Sequence, residues 1–141
     1  GIWNLKVIYL IRDGRGATNS YMRHYNVPME VAAQEWCHTH CECETVVREL
    51  DRHAHITVRY EELCMDPEKI LSNICSFIGL DSDVDSIPCE SSGEHILGNA
   101  MRFSSSKKIS LDEKWRRTLE QRDLEVFYSI AGSLQRSYDY T

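Results

Sequence analysis

The residues best suited to chemistry lie near the start of the chain. Arg12 and Arg15 are interspersed with two glycines in Arg12-Asp13-Gly14-Arg15-Gly16, and Thr18, Asn19 and Ser20 follow within a few positions. Ahead of them runs Val7-Ile8-Tyr9-Leu10-Ile11, a continuous apolar stretch of β-formers of the kind expected for a strand buried on both faces. Glycines permit a tight turn at its end, and the hydroxyl and amide residues fall in the first turns of a helix. The carboxyl end of a buried strand feeding a helix N-terminus is where α/β proteins bind anions, because main-chain amides, the helix dipole and a guanidinium fork all favour phosphate there. An ordinary βα turn with a surface arginine uses the same residue types, so this stretch alone leaves both readings open.

Three further groupings bear on the chemistry. Tyr60 ends a second apolar run, His55 to Tyr60, which would bring its ring to the same sheet edge as Arg12, there to stack and donate or to pack under the next helix. The segment Gly98 to Lys108 is rich in Gly and Ser and carries Arg102, Lys107 and Lys108 ahead of Trp115. It reads as a loop, suited to a buried phosphate or simply to solvent. Cys37-His38-Thr39-His40-Cys41-Glu42-Cys43 has helical pairs at metal-ligand spacing, but a closed zinc site draws ligands from more than one direction. His40 and Cys43 also fall on an apolar helical stripe, so packing with free thiols and no metal is the expectation. The phosphate loop G-x-x-x-x-G-K-[ST] is absent, and Gly14-Arg15-Gly16 is no substitute for it.

Arg12 and Ser20, eight positions apart across a βα turn, resemble the 3′-phosphate-binding arginine and serine of sulfotransferases that use 3′-phosphoadenosine 5′-phosphosulfate (PAPS). The usual family form has proline after Arg-Asp, where this chain has Gly14. Val58-Arg59-Tyr60-Glu61-Glu62-Leu63 with Asp66-Pro67 is similar to a second family landmark, a strand ending in R-Y-E-D-L and followed by a helix. The resemblance implies a partial P-loop-like three-layer α/β fold, a parallel sheet flanked by helices, with residues 1–141 forming the C-terminal portion of one sulfotransferase domain. It further implies that Arg12 and Ser20 hold the 3′-phosphate, that Tyr60 lies by the adenine, and that Arg102, Lys107 or Lys108 closes over the nucleotide. The reaction would move a sulfuryl group from PAPS, without a metal, to a hydroxyl or amine of a small-molecule, glycan or peptide acceptor. The loop for the 5′-phosphosulfate and the acceptor-activating base lie upstream in the family, so the catalytic residues are unknown here and this stretch alone is expected to be inactive. A nucleotide kinase-like phosphotransferase and a non-catalytic nucleotide- or partner-binding relative share the architecture and stand as alternatives.

The positioning elements follow from periodicity. A first helix should run to about Tyr25, broken by Asn26-Val27-Pro28, and Pro28 suits the start of a long helix reaching roughly Leu50. Met29, Ala32, Ala33, Trp36, His40, Cys43, Val47 and Leu50 form its apolar stripe. The strand-to-strand connection is thus a helical crossover, which predicts parallel strands. Asp66 and Pro67 open another helix that Gly79 stops, with Ile70, Leu71, Ile74, Phe77 and Ile78 on one face. Residues 81–94 read as an acidic surface loop, and two helices, about Leu111–Leu119 and Arg122–Leu134, close the chain.

At 141 residues the chain is one domain's worth, and a net charge of −6 argues against a nucleic-acid or membrane-surface binder. Positive charge is instead local, which suits a small anion. No apolar run approaches the ~18 residues of a membrane span. Six cysteines in a chain that is not small and loop-rich suggest free thiols in a cytoplasmic setting, with a secretory lumen and one or two disulfides as the alternative. A continuous apolar strand with a single convincing partner predicts that further strands complete the sheet of the usual four to six. The isolated stretch should then be prone to association.

Overall fold

A computed structural model of the chain describes residues 4–80 and 110–141. β1 (Val7–Ile11) leads into α1 (Gly14–Tyr25) and the long α2 (Met29–Glu49), which return the chain to β2 (His55–Arg59). Then come α3 (Tyr60–Met65), α4 (Pro67–Ile78), the single turn α5 (Trp115–Thr118) and α6 (Gln121–Ser137). The strands are parallel, as the crossover predicts, in register from Val7 opposite His55 to Ile11 opposite Arg59. The result is a mixed α/β fold with a two-stranded parallel sheet, among the described residues, flanked by helices.

Local chemistry sets most boundaries. Asn26, in the left-handed conformation at φ 53°, ends α1, and the Val27 amide bonds back to the Met22 carbonyl. The Asp66 carboxylate accepts from the Lys69 amide at the start of α4, and Gly79 at φ 80° closes it, as only a residue without a β-carbon does at no cost. Two expectations shift. Tyr60 opens the short helix α3 instead of ending β2, and the first closing helix shrinks to Trp115–Thr118. Residues 81–94 lie outside the described residues.

The core forms between α2 and α6. Phe127 and Ala131 of α6 are fully buried against Met29, Ala33 and Trp36 of α2, which confirms the predicted stripe over its first three turns. Farther along α2, Cys43 and Val47 are partly buried against Tyr9, Ile11 and Tyr140. The expectation for β1 is met on one face only. Tyr9 and Ile11 are buried, whereas Ile8 is 44% and Leu10 50% exposed. Continuous hydrophobicity thus marks a strand whose second face carries no cover among the described residues.

A buried polar relay crosses this core. Tyr138 Oη donates to Glu44 Oε1 at 2.6 Å, so its oxygen accepts from Tyr9 Oη at 2.9 Å, and the Tyr9 oxygen in turn accepts from His40 Nδ1 at 2.6 Å. A carboxylate cannot donate, so the chain of donors has one direction and places the His40 proton on Nδ1. Burial holds the His40 imidazole below its usual range, opposed more weakly by Glu44, and burial with the Glu44 hydrogen bond pushes the Tyr138 phenol far up. A histidine depressed in the folded state stabilises fully above its unfolded value of about 6.5, and that stability is lost as pH falls below it. The melting temperature should therefore drop between about pH 7 and pH 5, and His40→Gln should flatten that drop. Equal slopes in the two proteins would remove His40 as the cause.

Candidate anion-binding site

The β1–α1 turn is held by side chains of three other elements, α3, α5 and α6. Asp13 caps α1: its Oδ1 accepts from the Arg15 amide at 2.9 Å, and its carboxylate pairs with the Arg15 guanidinium at 2.7 Å. Burial alone would raise the Asp13 carboxyl, but the hydrogen bonds and charge of Arg15 outweigh it and hold the group below the usual carboxylate range. Arg15 also donates to Tyr128 Oη of α6 at 2.6 Å and to the Thr141 carbonyl at 2.9 Å, and it lies 4.3 Å over the Trp115 ring. The Asp13 amide donates to Glu61 Oε1 of α3, whose other oxygen accepts from Tyr140 Oη. The Gly14 amide donates to Gln135 Oε1 of α6.

This geometry corrects one expectation about the turn. The amides of Asp13, Gly14 and Arg15 are taken up by Glu61, Gln135 and Asp13, so they do not await an anion. Arg15, read as a second source of positive charge, is buried and neutralised. What the turn presents is Arg12. Its Nη2 donates once, to the Asp112 carbonyl at 3.0 Å, with the Asp112 carboxylate at 4.0 Å. Its guanidinium lies 4.4 Å over the Tyr60 ring. A guanidinium carries five N–H donors in a planar fork, and among the described residues most of that fork is unengaged. A β-carbon at Gly16 would sit 3.2 Å from Arg12 Nε, so the missing side chain is what lets Arg12 lie close to the first turn of α1.

Arg12 lines a cleft of about 220 Å³ together with Arg15, Arg116, Trp115, Glu61, Asp112, Glu113 and the C-terminal residues Asp139 to Thr141. The cleft is not basic overall. Its carboxylates are mostly engaged, Asp13 with Arg15 and Glu113 with Arg116 at 2.7 Å, which leaves Arg12 as its least neutralised cation among the described residues. Its volume falls below the roughly 300–1,000 Å³ of a complete small-molecule site. The cleft thus has room for part of a larger ligand, beside one cation whose donors are mostly unengaged among the described residues.

The remaining expected site residues are placed less directly. Ser20 is half-buried in the second turn of α1, makes no hydrogen bond among the described residues, and lies outside the lining of this cleft. Tyr60 is brought to Arg12, but one ring face is covered by the guanidinium, while its hydroxyl accepts from the Asp112 amide and donates to the Ser110 carbonyl. Burial raises the Tyr60 phenol, opposed in part by the Asp112 amide and the nearby charge of Arg12. Arg102, Lys107 and Lys108 lie outside the described residues. Sequence reasoning missed Asp112, Glu61 and Gln135. Gln135 had a signal: with Phe127 and Ala131 it continues a four-residue spacing on α6, a polar residue on an apolar stripe.

In the Cys37–Cys43 helix, the Cys37 thiol reaches the Ile130 carbonyl at 4.0 Å, and His40 is engaged by Tyr9. Cys37, Cys41, Cys43, Cys64 and Cys75 are free. Among the described residues no three metal-ligating side chains converge. Cys37, His40 and Cys43 are at least partly buried, whereas His38 and Cys41 are exposed. On the packing account, purified protein should carry no stoichiometric zinc, and chelator should leave its melting temperature unchanged. One zinc per chain, lost on replacing Cys37 and Cys41, would overturn that account.

Comparison with known proteins agrees with the fold. The family model described as the Sulfotransferase family matches residues 4–84, more than half the chain, and the matched stretch contains Arg12, Ser20 and Tyr60. The chain belongs to the sulfotransferase family. Its fold is similar to that of the sulfotransferase domain from the curacin biosynthetic pathway, with a TM-score of 0.59 at 21% identity over 98% of this chain. The chain spans 54% of that domain, about half its length. No curated protein matches it.

Proposed function

We propose that this chain supplies the 3′-phosphate and adenine end of a PAPS site, in a protein that transfers a sulfuryl group to a hydroxyl or amine of a small-molecule, glycan or peptide acceptor. The observation that carries this reading is Arg12: a strand-end guanidinium with, among the described residues, one main-chain hydrogen bond and no carboxylate closer than 4.0 Å. Arg12 would donate to the 3′-phosphate as a fork, steadied from behind by Tyr60, whose other face would meet the adenine. Ser20 would add a hydroxyl from α1, and Arg102, Lys107 or Lys108 a further cation. PAPS, when bound, brings the activated sulfuryl group. The residues named here bind and orient its far end, and none of them touches the reacting sulfur.

The proposal includes a division of the domain. Residues 1–141 form its C-terminal portion; the strand and loop that hold the 5′-phosphosulfate pair along the edge of β1 opposite β2, and the rest of the domain covers the face of Ile8 and Leu10. The exposed Ile8 and Leu10 and the 54% span support this. Among the described residues no helix is long and apolar enough to cross a membrane.

Calorimetric titration of the full-length protein tests the reading. Adenosine 3′,5′-bisphosphate should bind more tightly than adenosine 5′-monophosphate, and Arg12→Ala should erase about 1.5–3 kcal/mol of that difference, the worth of a charge-assisted phosphate contact. A variant that discriminates the two nucleotides as well as wild type does would remove Arg12 from the site.

A further inference from the structure

Gln135 is the one side chain of α6 that bonds directly to the β1–α1 turn at both ends of its amide. It is completely buried. Its Oε1 accepts from the Gly14 amide at 2.9 Å, and its Nε2 donates to Asp13 Oδ1 at 3.0 Å. A buried primary amide is costly unless its donors and acceptors are met, and here both ends are met by consecutive residues of one turn. The fit is close: a β-carbon at Gly14 would lie 2.9 Å from Gln135 Oε1 and 2.7 Å from Phe127 Cζ.

The turn leads directly to the ligand-facing side chain. Arg12 immediately precedes Asp13, and its guanidinium packs on the first turn of α1 at Gly16. Asp13, which Gln135 grips, also fixes Arg15 and caps α1. Glu61 holds the Asp13 amide from the other side. The turn is therefore clamped between α3 and α6; Tyr128 of α6 holds Arg15, and Gln135 is the α6 residue that bonds Asp13 and Gly14 themselves.

We infer that Gln135 is a positioning residue for the anion site: by bonding Gly14 and Asp13 it sets the turn that aims Arg12, and so governs selectivity for a nucleotide bearing a 3′-phosphate. The inference rests on the reading of Arg12 as the phosphate ligand. It assigns a role in recognition to a residue more than a hundred positions from Arg12 that touches no ligand.

The test compares wild-type full-length protein with Gln135→Met, which keeps side-chain length and loses both hydrogen bonds. Met29→Ala is the control, since Met29 is 2% exposed in the α2–α6 core and belongs to α2, with no hydrogen bond to the turn. Each protein is titrated with adenosine 3′,5′-bisphosphate and with adenosine 5′-monophosphate, and the ratio of affinities is the readout. A loosened fold weakens both nucleotides alike. A misaimed Arg12 weakens only the 3′-phosphorylated one, so Gln135→Met should lose about tenfold in the ratio and Met29→Ala should keep it at a similar melting temperature. An unchanged ratio in Gln135→Met, or an equal loss in the control, overturns the inference. If Gln135→Met does not fold, the wild-type protein decides by NMR. The Gln135 side-chain amide and the Gly14 amide should shift on binding the 3′,5′-bisphosphate and not the 5′-monophosphate, and an absence of such shifts overturns it equally. A wild-type protein with no preference for the 3′-phosphate would instead strike at the Arg12 reading, and with it at both proposals.

Discussion

Asp13→Ala is expected to destabilise the fold by about 3–5 kcal/mol, the cost of stripping the partner from a buried charge. The Asp13 and Arg15 side chains are 11% and 10% exposed, and their closest contact is 2.7 Å. Without Asp13 the Arg15 guanidinium keeps, among the described residues, only neutral partners, the Tyr128 hydroxyl, the Thr141 carbonyl and the Trp115 ring. The α1 cap is lost with it. Urea unfolding of the single variant and of Asp13→Ala/Arg15→Leu separates the two costs. The double variant should be the more stable, because it removes the stranded cation. If it is no better than the single variant, the charge is not what Asp13 serves. The sign with pH follows from a carboxyl held low in the folded state. Its contribution is complete above the unfolded value of about 3.9 and is lost as pH falls below it. Wild type should therefore lose stability below about pH 4 more steeply than Asp13→Ala. That window is distinct from the one in which His40 acts.

The elements were legible wherever a local pattern had one physical cause. The α2 stripe, the Asp66-Pro67 start and the Gly79 stop of α4 are short-range signals, and they stand where the spacing puts them. Parallel pairing of β1 and β2 followed from the length of the crossover. The exposed face of β1 was not legible, because an apolar residue reports a demand for cover and not whether these residues provide it. At the site, Arg12 and Tyr60 were readable from type and position. The capture of the turn amides by Glu61 and Gln135 was not, since those partners lie 48 and 121 residues away. A side-chain amide that completes a distant turn leaves no local period. It shows only as a polar residue where a helix should be apolar.

Gly14→Pro tests that long-range control against a local rule. Gly14 is the first residue of α1, after the capping Asp13, a position where proline is ordinarily favoured because its fixed φ suits a helix and its missing N–H is not needed. Proline is also the residue of the usual family form, and substitutions toward a family's common residue more often stabilise than not. In this fold the opposite is expected. The Gly14 N–H is needed, by Gln135 Oε1 in a fully buried setting, and proline would strand that acceptor at about 1–3 kcal/mol. Its β-carbon would fall 2.7 Å from Phe127 Cζ, against a ring with no exposed surface through which to yield, for a further 1–3 kcal/mol or so. Thermal and urea unfolding should place Gly14→Pro well below wild type. Adding Gln135→Leu, which removes the stranded acceptor, should recover part of the loss even though Gln135→Leu alone is destabilising. That reversal is the diagnostic sign, because two independent lesions would add. A Gly14→Pro protein as stable as wild type would mean that the turn does not depend on α6, and that local preference at the helix start decides this position after all.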